Sequence, residues 1–179
     1  MGFRISYVAA ALPLERLAGT MGLTLGPSLS DMPADDRPWG AQLASGTALV
    51  LLWDMKAPDT HGAALASLSA EADVHAAVLS ETTMFAEARC WSGGQRAWRV
   101  WHEGDGDDPY HLATEGTLPD DFAQIRDGAM AEQREEAAAG EEVDCIFEIP
   151  VTLIENRIGF RYDDALEPDA VEGIWQLQR

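Results

Sequence analysis

Basic side chains are scarce in this sequence, and their scarcity decides which partners we expect. The 179 residues include 31 Asp and Glu but only 12 Lys and Arg, which gives a formal net charge of -19 at pH 7. A field of this sign repels phosphate backbones and anionic lipid surfaces. We therefore predict no nucleic acid and no membrane among the partners. The charge is compatible with a basic protein partner, with nucleic-acid mimicry or with simple solubility.

Cysteines and long apolar runs are also rare. The chain has only two cysteines, so no disulfide framework holds the fold together. Cys90 and Cys145 both lie in apolar surroundings, and we predict that they are buried rather than nucleophilic. No apolar run reaches the length of a membrane span, and residues 1–17 alternate like a strand rather than like a signal peptide. These features predict a cytoplasmic protein.

The sequence patterns of common catalytic, nucleotide and metal sites are missing as well. There is no G-x-x-x-x-G-K-[ST], no G-x-G-x-x-G after a strand, no G-x-S-x-G and no C-x-x-C. The acidic run at residues 103–108 departs from a calcium loop at Asp108 and Thr114, where glycine and glutamate are needed. The histidines lack zinc-ligand spacing, although His102, His111 and Glu115 would meet if the chain folds back there. We predict no catalytic residue, no metal and no cofactor.

The most informative stretch is residues 84–103, which predicts two strands joined at Gly93 and Gly94. A Gly-Gly pair between alternating runs favours a two-residue hairpin turn, because primed turns need positive φ angles. In this register Ser92 faces Gln95, Trp91 faces Arg96, and Arg89 faces Trp98. One face of the hairpin then carries the polar and aromatic candidates: Glu87, Arg89, Trp91, Arg96, Trp98 and His102. The other face is small and apolar, and we place it toward the core.

These six residues are the candidate binding site. Arg stacked over Trp across two strands contributes roughly 0.5–1 kcal/mol per exposed pair. The commoner interpretation of such a ladder is a solvated face stiffened by cross-strand pairs. The functional interpretation is a binding surface, because Trp and Arg dominate interface hot spots. A register shift of one residue would exchange the two faces of a strand, and the six residues would then no longer share one surface.

The rest of the chain predicts strands and helices in alternation. We expect a strand at residues 3–8, a helix between Pro13 and Gly22, and a surface loop at 26–38. A second hairpin at 39–53 would contain a central strand, because its second half is apolar on both faces. Further segments are expected as a helix at 58–72, a strand at 74–80, a strand at 110–115, and helices ending at Gly140 and Gly159. This pattern predicts a single α+β domain over residues 1–179, with a largely antiparallel sheet built from hairpins with interspersed helices.

The second half contains several distinctive motifs: the run at 81–94, residues 96–102, His111-Leu112 with Glu115-Gly116, and VDCIFEIPVTLI followed by GFRYDD. Together they resemble a family of small uncharacterised bacterial proteins. The resemblance implies a bacterial, cytoplasmic origin and carries no activity, cofactor or site with it.

Two hypotheses for function follow. The first is a soluble, acidic, non-catalytic protein that binds a partner through the Arg–Trp ladder or the acidic surface. The second is a small enzyme or ligand-binding domain with a pocket near Glu87, His102 and His111, which would have to share one concave site.

Overall fold

Nine strands form one continuous antiparallel sheet in a computed structural model that describes residues 2–179. Their order across the sheet is β2-β9-β3-β4-β1-β5-β6-β7-β8. The strands are β1 (Arg4–Ala10), β2 (Thr24–Leu29), β3 (Trp39–Leu43), β4 (Ala48–Leu52), β5 (Val74–Ser80), β6 (Phe85–Ser92), β7 (Gln95–Glu103), β8 (Ala113–Gly116) and β9 (Val171–Gln178). The predicted α+β class and antiparallel sheet are confirmed.

Five helices cover the two faces of this sheet. They are α1 (Leu14–Thr20), α2 (Ala57–Thr60), α3 (Gly62–Leu68), α4 (Phe122–Ala139) and α5 (Glu148–Ile158). The first three pack on one face, where Val8 and Val50 meet Leu17 and Leu65. The other two cover the opposite face, which carries Ile5. The sheet is therefore the middle layer of three and has a separate core on each side.

The central strands are buried on both faces, as their composition predicts. Every residue of β4 is buried, and β1 is buried from Ile5 onward. Successive side chains of a strand point to opposite faces, so Ile5 and Tyr7 enter one core while Val8 enters the other. Each fully buried Leu, Ile or Val contributes roughly 1.5–3 kcal/mol. The sheet centre is thus the stable part that holds the strand ends in place.

Helix α5 is the main cover of one face and ends where the sequence predicts. Gly159 adopts φ 68, in the left-handed region that glycine tolerates best. Gly140 ends α4 in the same way at φ 81. Apolar residues fill the sheet-facing side of α5: Ile149, Val151, Leu153, Ile154 and Ile158.

Two neighbouring strands at one end of the sheet, β2 and β9, are not predicted by the sequence pattern. Residues 24–29, four of which are predicted as loop, form the edge strand β2. An edge position accepts Pro27, and the register shifts between Leu25 and Ser28. The C-terminal segment lies between β2 and β3 as β9, a pairing over more than a hundred residues that no local signal predicts. Within residues 2–179, no helix has the length and apolar character that crossing a membrane requires.

Candidate functional site

The predicted hairpin at residues 84–103 forms, with its turn at Gly93 and Gly94. Both glycines have positive φ angles, 59 and 87, as a primed two-residue turn requires. Next to the turn the register is as predicted, in two pairs: Ser92 with Gln95, and Trp91 with Arg96.

One extra residue in β7 then changes the register. Beyond Ala97 the strands continue with Cys90 opposite Trp98 and Arg89 opposite Arg99. The predicted pairing of Arg89 with Trp98 is therefore wrong. A bulge of this kind moves every later side chain of the strand to the other face of the sheet.

Within the hairpin, the Arg–Trp contacts run along single strands. The Arg99 guanidinium lies 4.1 Å from the centroid of the Trp101 ring, and that of Arg89 lies 5.8 Å from Trp91. The cross-strand ladder of alternating Arg and Trp is absent from the hairpin because the bulge has removed its register.

The face of the hairpin that we predicted to be solvated is a buried ion cluster. Glu87 and Arg89 are only 2% and 3% exposed, and the Arg89 Nε donates a hydrogen bond to Glu87. Arg89 also bonds Asp59 of α2 at 2.6 Å, and Arg99 bonds Glu87 at 2.8 Å. Burial alone would lower the pKa of Arg89, but the hydrogen bonds to the two carboxylates raise it above its ordinary value. The cluster is a structural element beneath α2.

The remaining candidates of the predicted site lie elsewhere. Trp98 and His102 point to the opposite face of the sheet, where Trp98 joins the core beside α5 and His102 is fully buried. Only Arg96 is exposed, and it pairs with Glu115 at 2.5 Å. A binding role for the six residues stays a prediction, and they share no exposed surface.

The three residues of the predicted alternative pocket, Glu87, His102 and His111, also lie on different faces of the sheet. Glu87 is opposite Trp101 in the sheet, so its side chain points away from the face that carries His102. His102 and His111 do meet, with ring centroids 6.1 Å apart. Because the sheet separates Glu87 from the two histidines, the prediction that all three share one pocket is wrong.

His102 instead forms a buried ion pair. Its Nδ1 lies 2.6 Å from the His111 carbonyl oxygen, and its Nε2 lies 2.8 Å from Asp144 Oδ2. Both partners are acceptors, so the ring satisfies both of them only when each nitrogen carries a proton, which is the imidazolium form. Burial lowers the pKa of His102, but the hydrogen bonds to Asp144 and to the carbonyl outweigh it and raise the pKa above 6.5. The pair ties the end of β7 to the segment before α5.

The two thiols are buried, as the sequence predicts. Burial raises the pKa of Cys90 to about 12, and it also raises the pKa of Cys145. A thiol with a raised pKa is protonated near neutral pH and is a poor nucleophile. Among residues 2–179, no group of three or more His, Cys, Asp or Glu side chains is arranged to hold a metal ion.

The most ligand-like feature is a cavity of about 460 Å³ at the end of the sheet where β1 begins and β4 ends. The loops at residues 31–34 and 162–165 contribute to its lining. Its lining is mainly aromatic and aliphatic, with contributions from Phe3, Ile5, Met32, Trp39, Leu51, Trp53 and Tyr162. A cavity of this size and lining matches the general character of small-ligand sites. We refer to it below as the aromatic cavity.

The aromatic rings of the cavity pack against one another and fix its shape. Phe3 and Trp53 stack with centroids 5.9 Å apart, and Phe3 meets Tyr162 edge-on at 5.4 Å and 84°. Behind them, Trp39 packs edge-on against Phe160 at 6.1 Å. Such pairs contribute about 0.5–1.5 kcal/mol beyond the burial of area. The walls are therefore preformed.

Glu81 holds two of these walls from behind. Its carboxylate accepts one hydrogen bond from the Phe3 backbone N–H at 2.8 Å and another from the Tyr162 hydroxyl at 3.0 Å. Burial, followed by the bond to Glu81, raises the pKa of Tyr162, so the hydroxyl stays a donor. A Cβ at Gly2 would lie 2.8 Å from that of Glu81, which explains the glycine beside Phe3.

Carboxylates line the mouth of the aromatic cavity without any Lys or Arg in its lining. Asp31, Asp163 and Asp164 all contribute, and all three are exposed. Asp31 accepts a hydrogen bond from the Met32 N–H, and Asp163 pairs with Arg161 at 2.8 Å. The cavity thus combines aromatic walls with an anionic mouth.

The sequence does not predict this site, because its parts are far apart in the chain. The only local signals are the tryptophans at the ends of two strands and the acidic loops at 31–36 and 163–164. Nothing in the sequence shows that these loops meet at one end of the sheet.

No family model, curated protein or solved structure matches the chain. The resemblance of the second half to small bacterial proteins therefore stays a prediction.

Proposed function

We propose that this chain is a non-catalytic binding protein for a basic protein partner, and that the aromatic cavity takes a cationic side chain of that partner. The observation that carries the proposal is the composition of the cavity. Four aromatic side chains line it, Phe3, Trp39, Trp53 and Tyr162, and three carboxylates stand at its mouth without a lysine or arginine in the lining.

The affinity of such a site can be estimated from its parts. A cation over an aromatic ring gains about 0.5–1 kcal/mol when exposed and about 2 kcal/mol or more when desolvated. Two or three rings together with the carboxylates support a binding free energy of about -4 kcal/mol, which corresponds to a Kd on the order of 1 mM. Additional contacts with a whole partner protein would strengthen this value.

The charge of the whole chain supports a basic partner. A net charge of -19 attracts cationic proteins and raises their association rate, in a manner that falls with ionic strength. We propose that this interaction takes place in a bacterial cytoplasm.

The chemistry of the other reactive groups supports binding rather than catalysis. The two thiols have raised pKa values, and both nitrogens of His102 are engaged in hydrogen bonds. Neither the thiols nor His102 lines the aromatic cavity. A ligand there would meet aromatic faces and carboxylates, which orient a cation without transforming it.

The test is calorimetric titration with a blocked tripeptide, acetyl-alanyl-lysyl-alanine amide. The variant Asp31→Asn/Asp164→Asn removes two negative charges at the mouth, and Asn at position 31 keeps an acceptor for the Met32 N–H. The matched control Glu132→Gln/Glu135→Gln removes two negative charges from the exposed side of α4. Both variants have the same net charge.

We expect the cavity variant to weaken binding several-fold while the α4 variant behaves like the wild-type protein. Equal weakening in both would show that only the overall charge attracts the peptide, and the proposal would fail. The absence of measurable binding by both the lysyl tripeptide and its trimethyllysyl counterpart would also refute it.

A further inference from the structure

We infer that the aromatic cavity selects a methylated ammonium group over a primary ammonium or a guanidinium. This inference rests on the proposed function and narrows the ligand class. These cations differ in the number of their N–H donors. A trimethylammonium carries a positive charge but has no N–H donor.

The depth of the cavity offers few acceptors to a donor-rich cation. Its aliphatic lining comes from Ile5, Met32 and Leu51, whose side chains accept no conventional hydrogen bond beyond the weak acceptor sulfur of methionine. The Tyr162 hydroxyl donates to Glu81, so only its oxygen is left to accept one hydrogen bond, and the indole of Trp53 has only a donor. A primary ammonium placed there would leave N–H groups without partners, and such groups carry the full cost of desolvation.

The carboxylates do not cancel the disadvantage of a primary ammonium, because they lie at the mouth of the cavity. Two of them already accept hydrogen bonds from the protein itself. Asp163 is paired with Arg161, and Asp31 accepts from the Met32 N–H. They supply a negative potential, which acts on any cation regardless of its N–H groups. The rings supply the selectivity, because methyl groups on a cationic nitrogen can contact ring faces and lose little hydration.

The available space admits the group. About 460 Å³ lies within the range of roughly 300–1,000 Å³ found for small-ligand sites, so a trimethylammonium and its stem both fit. This chemistry has two possible sources, a trimethylated lysine of a protein and a free quaternary amine such as choline.

The experiment compares dissociation constants for matched probes by titration calorimetry at fixed ionic strength. The lysyl tripeptide is compared with its trimethyllysyl counterpart. Choline is compared with 3,3-dimethylbutan-1-ol, its neutral carbon isostere, to separate charge from apolar shape.

We expect the trimethyllysyl peptide to bind about tenfold more tightly than the lysyl peptide, and choline to bind more tightly than the neutral isostere. If the trimethyllysyl peptide binds more tightly than choline, the natural ligand is a trimethylated lysine of a protein. If the two bind equally, the cavity recognises only the quaternary ammonium group, whichever molecule carries it.

Three results would overturn the inference. Equal or tighter binding of the lysyl peptide would refute the selectivity while leaving the proposed function intact. Equal binding of the neutral isostere would show an apolar cavity without cation recognition, and no binding of any probe would refute both proposals.

Two variants locate the effect at one wall. Trp53→Leu removes an aromatic face and should abolish most of the preference for the methylated probe. Trp53→Phe keeps a ring and should retain it, and a preference unchanged in Trp53→Leu would contradict the role of the indole.

Discussion

Replacing Glu87 by glutamine tests the buried ion cluster of the central hairpin. The carboxylate of Glu87 accepts hydrogen bonds from Arg89 and from Arg99, and its side chain is 2% exposed. Glutamine has nearly the same shape, so the change removes a charge and little volume. Two guanidinium groups would then face a neutral amide.

The expected cost follows from the burial of the partners. Removing one member of a buried ion pair typically costs 3–5 kcal/mol, because it leaves a charge uncompensated. Arg99 is 26% exposed, and Arg89 keeps its contact with Asp59, which is 69% exposed. Because both arginines keep some compensation from solvent or from Asp59, we expect Glu87→Gln to cost about 3 kcal/mol, the lower end of this range. For a chain of this size that corresponds to a fall in Tm of roughly 6–12 °C.

The matched control is Glu115→Gln, which breaks the pair of Glu115 with Arg96 in the same hairpin region. Both side chains of that pair are nearly half exposed, at 43% and 45%, so the expected cost is about 0–1 kcal/mol. The assay is urea denaturation followed by circular dichroism, with unchanged m-values as the condition for comparison. A cost below about 1 kcal/mol for Glu87→Gln, equal to that of the control, would refute the assignment of a buried, stabilising cluster.

Two further predictions concern His102 and the glycines. The pKa of His102 is raised above 6.5 in the folded chain, where it faces Asp144, Asp108 and His111, so its stabilisation is complete below pH 6.5 and is lost as the pH rises through the folded-state pKa. The free energy of unfolding of the wild-type protein should therefore fall over that interval relative to His102→Gln, and parallel pH profiles would contradict the ion pair. Gly116→Ala should destabilise, because φ is 80 and the new Cβ would lie 2.1 Å from the Ala97 carbonyl oxygen, whereas Gly128→Ala in α4 should stabilise by about 0.5–1 kcal/mol, since nothing lies within 4 Å. Thermal melts of the two variants that shift in the same direction would show that this local reasoning is wrong.

The parts of the fold that depend on local signals are the parts that the sequence predicts. The turn at Gly93 and Gly94 and the helix ends at Gly140 and Gly159 need positive φ angles, and glycine marks each of them. The apolar run of β4 likewise predicts a strand buried on both faces.

The parts that depend on contacts distant in sequence are missed. Ala97 has no feature that marks it as a bulge, yet it decides which face carries Trp98. The burial of Arg89 depends on Asp59, thirty residues away, which supplies a counter-charge from α2. The aromatic cavity needs Phe3 and Tyr162 at one end of the sheet, and only the assembled strands bring them together.

The most direct test of the central claim is a titration of ¹⁵N-labelled protein with tetramethylammonium chloride, against sodium chloride at equal concentration. The indole N–H of Trp53 lacks a hydrogen-bond partner within residues 2–179, and its resonance is assigned by its loss in Trp53→Phe. We predict saturable shifts of this signal and of the Phe3 amide, with the acidic surface of α4 unaffected. Shifts that do not saturate, or that appear mainly on α4, would contradict a cation site in the aromatic cavity.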